Sequence, residues 1–230
     1  MIINRFIGAI VKSPNKILLA LLGYSIVPTS PVRNRPYIRA WATLKARRLY
    51  KKSLRQNLPV QLELGSAEAR KGWITIDRSD GADLILDLAK PLPFHDNSVD
   101  KIYSSHLIEH LDYQGGIALL RECHRMLRAN GILSLCVPDA SIFISAYCNG
   151  LDIKSLCKVE PALHYHSPID FVNYVAYMNG EHKHMYDRDN LIRVLKYIGF
   201  QSVSLRGFDS ELDVKRSDYE PVSMYVLAIK

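Results

Sequence analysis

The segment at residues 60–77 places the tightest limits on the fold. It reads VQLELGSAEARKGWITID, in which an apolar run meets Gly65 and a second apolar run ends on Asp77. A glycine after a β-like run permits a sharp turn, and an acid closing the next run is typical of nucleotide-binding α/β sheets. Residues 66–72 are too few for an ordinary crossover, which usually takes at least about 10–12 residues. We therefore expect two neighbouring strands joined without a helix.

The rest of the chain alternates between β-like runs and helical patterns. Further β-like runs are ADLILD, KIYSSHL, ILSLCVPD, SVSLRGF and VSMYVLAI, and the last two are typical of an antiparallel pair at a sheet edge. Apolar residues recur at helical spacing in 35–55, in 113–129 with a stop at Asn130 and Gly131, and in 187–198 with a stop at Gly199. This order predicts an α/β fold: a Rossmann-like, doubly wound, mostly parallel seven-stranded sheet with an antiparallel C-terminal strand pair.

Charge divides the chain into two parts. Residues 1–62 contain 12 Lys or Arg and no Asp or Glu, whereas the remainder has 18 basic and 23 acidic residues. A chain of 230 residues can bury one good core. We therefore expect a basic, apolar arm and helix at 1–58 and one domain at 59–230. Residues 140–183 lack a clean period, and we interpret them as a helical insertion or substrate lid over the sheet.

The basic arm is too interrupted to cross a bilayer. Its longest uninterrupted apolar stretch, residues 17–24, falls far short of the roughly 20 residues that a spanning helix needs, and no secretory cleavage site is evident. Residues 1–55 could lie on an anionic membrane surface or pack on the domain with their charges in solvent. The four cysteines show no C-x-x-C pairing, so we expect free thiols. These features predict a cytoplasmic protein, with peripheral attachment to the inner membrane face as an open alternative.

Polar residues gather where the β-like runs end. Gly65, Asp77 and Asp87 follow the first three runs, and residues 104–106 and Asp139 follow the next two. Ligands of open doubly wound sheets bind outside the carboxyl ends of the strands. The pattern therefore predicts one site along this edge.

Four stretches, taken in order, resemble the class I S-adenosylmethionine-dependent methyltransferases, and more narrowly the methyltransferase type 11-like branch often associated with bacterial polysaccharide biosynthesis. They are LELGSA…GWITID, DLAKPLPFHDNSVDKIYSSHLIEHL, ECHRMLRANGILSLCVPD and HMYDRDNLIRVLKYIGF. Together they cover a little under half of the chain. The resemblance implies methyl transfer with S-adenosylmethionine as the cofactor.

The resemblance also implies which residues hold the cofactor. The turn after the first strand would lie against its methionine part, the acid ending the second strand would accept hydrogen bonds from both ribose hydroxyls, and the end of the third strand would face the adenine. The residues so assigned are Gly65, Ser66, Ala67, Asp77, Asp87, Leu88, Ser104 and Ser105. The alternative for the two aspartates is a purely structural role as turn acids.

One position departs from the family pattern. Where the family usually has G-x-G, this chain has Gly65, Ser66 and Ala67. A methyl group at position 67 is harmless if the residue has a negative φ and costly if the turn needs a positive φ. The conformation at Ala67 therefore bears on whether the cofactor site works or whether the fold is only a scaffold.

Methyl transfer from a sulfonium is an in-line displacement, so the protein has to position the acceptor and remove its proton. His106 leaves the fourth strand beside the expected methyl group, and a histidine near its ordinary pKa suits a general base. Its alternative role is to order the loop. Asp139 is a second candidate base or hydroxyl orienter, and His184 and Tyr186 are expected on the substrate side.

Metal ligation is not expected from the sequence. His164 and His166 form one H-x-H pair and His182 and His184 another, but neither has an accompanying carboxylate at metal-ligand spacing. The Glu109–His110 pair in SSHLIEH is interpreted as local pairing or capping.

The function that we expect first is O-methylation of a small or lipid-linked saccharide. The choice of a saccharide as the acceptor is implied by the resemblance alone. One alternative is an RNA methyltransferase that uses the basic arm, although the domain has no recognisable RNA-binding module. The other is a catalytically inactive, methyltransferase-like scaffold at the membrane.

Overall fold

A computed structural model describes residues 36–156, 167–214 and 220–230, without the side chains of residues 36–43 and 54. The first part of the predicted arm, at 1–35, therefore lies outside the described residues, as do Cys157 and the H-x-H pair at 164–166. Among the described cysteines, Cys123, Cys136 and Cys148 are free thiols, in line with the sequence. Within the described ranges no helix combines the length and the apolar run needed to cross a membrane.

Seven strands form one mixed sheet in the order β3-β2-β1-β4-β5-β7-β6. The first five strands pair in parallel and β7 runs antiparallel to both of its neighbours, which confirms the predicted sheet. The strands are β1 (Gln61–Leu64), β2 (Ile74–Asp77), β3 (Leu84–Ile85), β4 (Val99–Ser105), β5 (Leu127–Pro138), β6 (Ser202–Arg206) and β7 (Ser223–Ile229).

The strand order sets the place of the site. The chain winds outward from β1 to β3 and then returns to place β4 beside β1. A ligand crevice forms at such a reversal, outside the carboxyl ends of the strands. The ends of β1 and β4 lie side by side there, because Leu64 pairs with Ser104.

Five α-helices of the described residues surround the sheet and its carboxyl edge. They are α1 (Pro36–Arg55), α2 (Tyr113–Met126), α3 (Ala140–Cys148), α4 (Ile169–Tyr177) and α5 (Arg188–Ile198). The predicted last helix is confirmed: Asp187 caps α5 by accepting a hydrogen bond from the Asn190 amide, and Gly199 follows its end at φ 120°. Its buried face, led by Leu191 and Leu195, packs into the main core.

The connection from β1 to β2 contains no helix, as predicted. Arg70 stabilises it from within: its guanidinium lies 3.4 Å from the buried Glu63 carboxylate and donates to the Leu212 carbonyl at 3.0 and 3.1 Å. The same guanidinium stacks on Trp73, 4.3 Å from the ring centre. One arginine thus ties the short connection to β1 and to the C-terminal part of the chain.

Helix α1 covers part of the sheet that lacks a crossover helix. Ala46 is buried in the main core, and Leu49 and Tyr50 pack against it. The opposite face of α1 carries exposed basic side chains. The predicted amphipathic helix is therefore present, and its apolar face is used by the domain itself.

Helix α2 ends earlier than the sequence predicted. Asn130 and Gly131 do not stop the helix, which ends at Met126, and both residues lie inside β5. The helix stops because Leu127 pairs with Val99 of β4 and the Ser98 amide donates to the Met126 carbonyl at 2.8 Å. Sheet pairing overrides the local glycine signal, and Asn130 takes its positive φ of 61° within the strand.

Residues of the predicted insertion at 140–183 form α3 and α4, which pack against each other around a second, smaller core. That core contains Phe143 of α3 and Phe171 and Val175 of α4. Helix α3 starts directly after β5, so the helix pair lies beside the carboxyl ends of the strands.

Candidate functional site

The turn after β1 requires its glycine. Gly65 has φ +82°, and its amide donates to the Ile76 carbonyl at 2.8 Å. A Cβ at this position would lie 3.1 Å from two atoms of the Leu107 side chain. Ala67 is not among the described residues with positive φ, so its methyl group costs the turn nothing in backbone strain. The departure from G-x-G is therefore compatible with the turn.

A second glycine at this turn was not predicted. A Cβ built on Gly81 would lie 2.1 Å from the Ala67 carbonyl oxygen. The loop after β2 therefore packs directly on the backbone of the glycine turn, and only a glycine permits that approach. The sequence signal was a glycine shortly after the acid that ends β2.

Asp77 lies at the end of β2, as predicted. Its Oδ1 accepts a hydrogen bond from the Ser79 amide at 2.8 Å, and its carbonyl accepts one from the Leu86 amide. The side chain thus orders the turn, which is the structural alternative raised by the sequence. Its position at the strand end beside the Gly65 turn also suits ribose binding, which stays a prediction.

Asp87 forms an ion pair that the sequence did not reveal. Its Oδ1 lies 2.6 Å from Arg78 Nη2 and accepts a hydrogen bond from the Ala89 amide at 3.1 Å. Burial alone would raise the pKa of Asp87, but the hydrogen bonds from Arg78 and Ala89 outweigh it, so the pKa is lowered. Leu88 is buried in the main core, so its side chain serves packing.

Ser104 and Ser105 are buried at the end of β4. The Ser104 Oγ has no hydrogen-bond partner among the described residues. A buried hydroxyl without a partner is suited to a polar ligand, and Ser104 lies beside the glycine turn because it pairs with Leu64. These residues therefore fit S-adenosylmethionine, although their individual roles stay predictions.

His106 lies where the fourth strand ends, with φ +49°. Its Nε2 is 3.0 Å from the Ser223 Oγ, and its Nδ1 is 3.4 Å from the Glu109 Oε1. Burial would lower the pKa of His106, but Cys136 and Glu109 outweigh it and raise the pKa to about 9. The expectation of an ordinary pKa is therefore wrong, and the imidazole is protonated at neutral pH in this arrangement. A role as general base requires its neutral form.

Asp139 is fully buried and occupied by structural contacts. One carboxylate oxygen caps α3 by accepting from the amide and hydroxyl of Ser141, and the other accepts from Arg188 Nε at 2.7 Å. These contacts favour a structural role, while the predicted catalytic role stays untested.

His184 and Tyr186 are close to each other, but Tyr186 faces the core and His184 is half-buried. Tyr186 is 2% exposed, and burial raises the pKa of its hydroxyl to about 12. That hydroxyl lies against α2, 2.7 Å from where a Cβ of Gly116 would be. The His184 ring packs between Tyr113 and Tyr186, with ring centres 5.4 and 4.7 Å apart.

A cavity of about 280 Å³ lies between the strand ends and the helix pair α3 and α4. His184, Tyr186 and Asp139 do not line it, whereas His106 does. The lining residues are His106, Glu109, His110, Pro138, Phe143, Tyr174, Val175, Met178, Glu181, His182 and Val222. The sequence analysis missed most of this set because its members come from four distant segments of the chain. The SSHLIEH run was the one part of the lining that the sequence pattern indicated.

Residues 59–135, about a third of the chain, match the family model described as a methyltransferase domain. The sequence matches none of the curated proteins. Among solved structures, the chain is similar to a SAM-dependent methyltransferase from Archaeoglobus fulgidus, at 15% identity over 95% of this chain and 100% of that chain, with a TM-score of 0.47.

Two further structures are similar to this chain. The first is an S-adenosylmethionine-dependent methyltransferase from Mesorhizobium loti, at 16% identity over 78% of this chain and 96% of that chain, with a TM-score of 0.45. The second is phosphoethanolamine N-methyltransferase 2 from Haemonchus contortus, at 12% identity over 75% of this chain and 49% of that chain, with a TM-score of 0.45.

The methyltransferase-domain match falls on the strands and turns that form the predicted cofactor edge, from β1 into β5. Together with the sheet order, it identifies the enzyme class. The protein is an S-adenosylmethionine-dependent methyltransferase, and S-adenosylmethionine is its cofactor.

Proposed function

We propose that this S-adenosylmethionine-dependent methyltransferase methylates a hydroxyl group of a saccharide, either free or as part of a lipid-linked glycan precursor. The observation that carries the proposal is the cavity between the strand ends and helices α3 and α4. It lies beside the predicted cofactor edge, because His106 follows directly on Ser105 of β4.

The cavity combines two kinds of surface. Phe143 and Tyr174 contribute aromatic side chains, whereas Glu109, Glu181 and His182 contribute charged or hydrogen-bonding groups. A sugar ring has an apolar face of C–H groups and an edge of hydroxyls, so it matches such a lining. A mostly apolar pocket with a few polar groups is also the usual form of a small-molecule site.

When bound, S-adenosylmethionine would supply the methyl group from its positively charged sulfur, and that sulfur would keep the electron pair of the carbon–sulfur bond as the acceptor oxygen gains the methyl group. The hydroxyl proton goes to His106, which lines the cavity, in the fraction of molecules whose imidazole is neutral. The surrounding side chains hold the acceptor in line with the carbon–sulfur bond.

The test has two stages. S-adenosylhomocysteine binding is first measured by calorimetry for the wild type and for Asp77→Ala, where loss of binding in the variant is expected. Transfer of labelled methyl groups is then measured with free hexoses, nucleotide-linked sugars and polyprenyl-linked glycans. Base-stable labelling of a hydroxyl acceptor supports the proposal, whereas labelling confined to amines or carboxylates overturns it.

His106→Gln separates chemistry from binding. General-base removal typically costs about 10²- to 10⁴-fold in rate, so we expect that loss in kcat with unchanged S-adenosylhomocysteine binding. The exposed His95 provides the matched control, and His95→Gln should keep full activity. Equal activity of His106→Gln and wild type would remove His106 from the proposed step.

We further propose that residues 1–55 hold the enzyme on an anionic membrane surface, which favours a lipid-linked acceptor. Support comes from α1, where one helical face carries five exposed basic side chains opposite the buried Ala46. They are Arg47, Arg48, Lys51, Lys52 and Arg55. Basic residues near an anionic bilayer contribute about 1 kcal/mol each, and salt weakens that attraction.

Co-sedimentation of the full chain with phosphatidylglycerol-containing vesicles tests this attachment. We expect binding that falls with salt and that Arg48→Glu/Lys52→Glu weakens, whereas Arg121→Glu/Arg193→Glu on α2 and α5 leaves it unchanged. Salt-dependent binding to RNA without binding to vesicles would overturn the membrane proposal and favour the RNA-methyltransferase alternative.

A further inference from the structure

We propose that Glu109, His110 and His182 bind a divalent transition-metal ion at the wall of the cavity. One ligand atom from each residue lies within 4.8 Å of the others. The three come from the 3₁₀ turn that follows β4 (Ile108–His110) and from the segment after α4, so the fold brings them together across more than seventy residues. Two imidazoles with one carboxylate form a ligand set that proteins use for zinc.

The Glu109 side chain is only partly paired for a buried carboxylate. The residue is 2% exposed, and neither carboxylate oxygen has a hydrogen-bond partner among the described residues. His106 Nδ1 lies 3.4 Å from Oε1 and forms an ion pair with it when the imidazole is protonated, whereas Oε2 has no hydrogen-bond partner among the described residues. A buried carboxylate is costly unless it is fully paired or coordinates a metal, so the unpartnered Oε2 is suited to a cation in the cavity.

His182 is held in the orientation that a metal ligand needs. Its Nδ1 lies 2.8 Å from the Val175 carbonyl, which assigns the proton to Nδ1 and leaves the Nε2 lone pair free to bind. A backbone carbonyl that accepts from the other ring nitrogen is the usual second interaction of a ligating histidine. The His110 ring lies edge-on to His182, with the ring centres 4.9 Å apart.

Backbone contacts fix the two halves of the cluster against each other. The amides of Lys183 and His184 both donate to the Glu109 carbonyl, at 2.7 and 3.2 Å. Because three protein ligands leave at least one position of a tetrahedral zinc ion open, the bound ion can take a further ligand from the cavity. Harder ions such as Mg²⁺ prefer oxygen ligands, so Zn²⁺ is expected to bind more tightly than Mg²⁺.

The test is calorimetric titration of the chelator-treated full chain with ZnCl₂, with MgCl₂ as the comparison. We expect one tight zinc site, a raised melting temperature, and at least about a 100-fold loss of zinc affinity in His182→Gln and in His110→Gln. Circular dichroism and S-adenosylhomocysteine binding show that each variant is folded. Because these measurements need no acceptor, their outcome is independent of whether a saccharide is methylated.

A matched control removes a described histidine outside the cavity. His95→Gln should keep wild-type zinc affinity, because this exposed side chain does not line the cavity. The proposal is overturned if the folded wild type binds no zinc, if His182→Gln binds zinc as the wild type does, or if the control variant alone loses the site.

Discussion

The two sides of the site are built differently. On the cofactor side, Gly65, Asp77 and Asp87 each follow a strand within a stretch of 23 residues, and their order along the chain is their order along the sheet. On the acceptor side, the cavity lining comes from four segments: the residues after β4, the end of β5 with α3, helix α4 with the residues after it, and Val222 before β7. Local sequence patterns therefore locate the first side well and the second side poorly.

The glycine turn should give the largest effect on the cofactor side. Gly65→Val puts a branched side chain at φ +82° and within 3.1 Å of Leu107, so we expect a loss of about 3 kcal/mol in unfolding free energy and no S-adenosylhomocysteine binding. Gly207→Val is the matched control, because a Cβ there meets nothing within 4 Å. Equal calorimetric affinity of the two variants would show that the turn does not carry the cofactor.

Removal of Arg70 should come next. Arg70→Ala takes away the hydrogen bonds to Leu212 and leaves Glu63 buried without its cation, so we expect a loss of about 2 kcal/mol in denaturant unfolding. Arg193→Ala, which breaks an exposed pair with Asp189, should cause no measurable change. A normal stability of Arg70→Ala would mean that the helix-free connection is held by packing alone.

Substitutions of Asp139 can separate its structural role as the cap of α3 from its predicted catalytic role. Asp139→Asn keeps a capping side chain for α3, so we expect most activity to remain, whereas Asp139→Ala should lose about 1 kcal/mol of stability with the cap. Thermal unfolding and methyl-transfer rates, measured on both variants, show whether each substitution changes stability or catalysis. A fall of more than about 100-fold in the rate of a stably folded Asp139→Asn would restore its predicted role as a base.

The Arg78–Asp87 pair should give the smallest effect. Arg78 is two-thirds exposed, so Arg78→Ala should cost less than about 1 kcal/mol at pH 7. Because the pair lowers the pKa of Asp87, its stabilising effect is present above the ordinary value of 3.8 and is lost as the pH falls through the lowered pKa. The difference in melting temperature between wild type and variant should narrow over that range. If the melting-temperature difference stayed constant with pH, the stabilising effect of Arg78 would not come from the ionised Asp87 carboxylate.

The fold was predictable because its signals are local and periodic. Each strand from β1 to β5 and the helices α1, α2 and α5 are apolar runs of the right period between turn residues, whereas the segment that forms α3 and α4 lacks a clean period. The failure at Asn130 and Gly131 has a clear reason: pairing of Leu127 with Val99 is a long-range contact, and it overrides a local stop signal. The same limit applies to Arg70, whose partners near residue 212 cannot be read from its neighbours in sequence.

The sequence by itself determined the succession of strands along the chain, the glycine turn after β1 and the acids at the strand ends. These features depend on residue type and on spacing within one stretch of chain. Only the tertiary structure decided that Ala67 is compatible with the turn, that Tyr186 faces the core, and that Glu109 and His182 meet at one cavity. These three features arise from packing of the whole domain: a backbone conformation, the burial of a side chain and the contact of distant segments. They therefore cannot be read from a local sequence pattern.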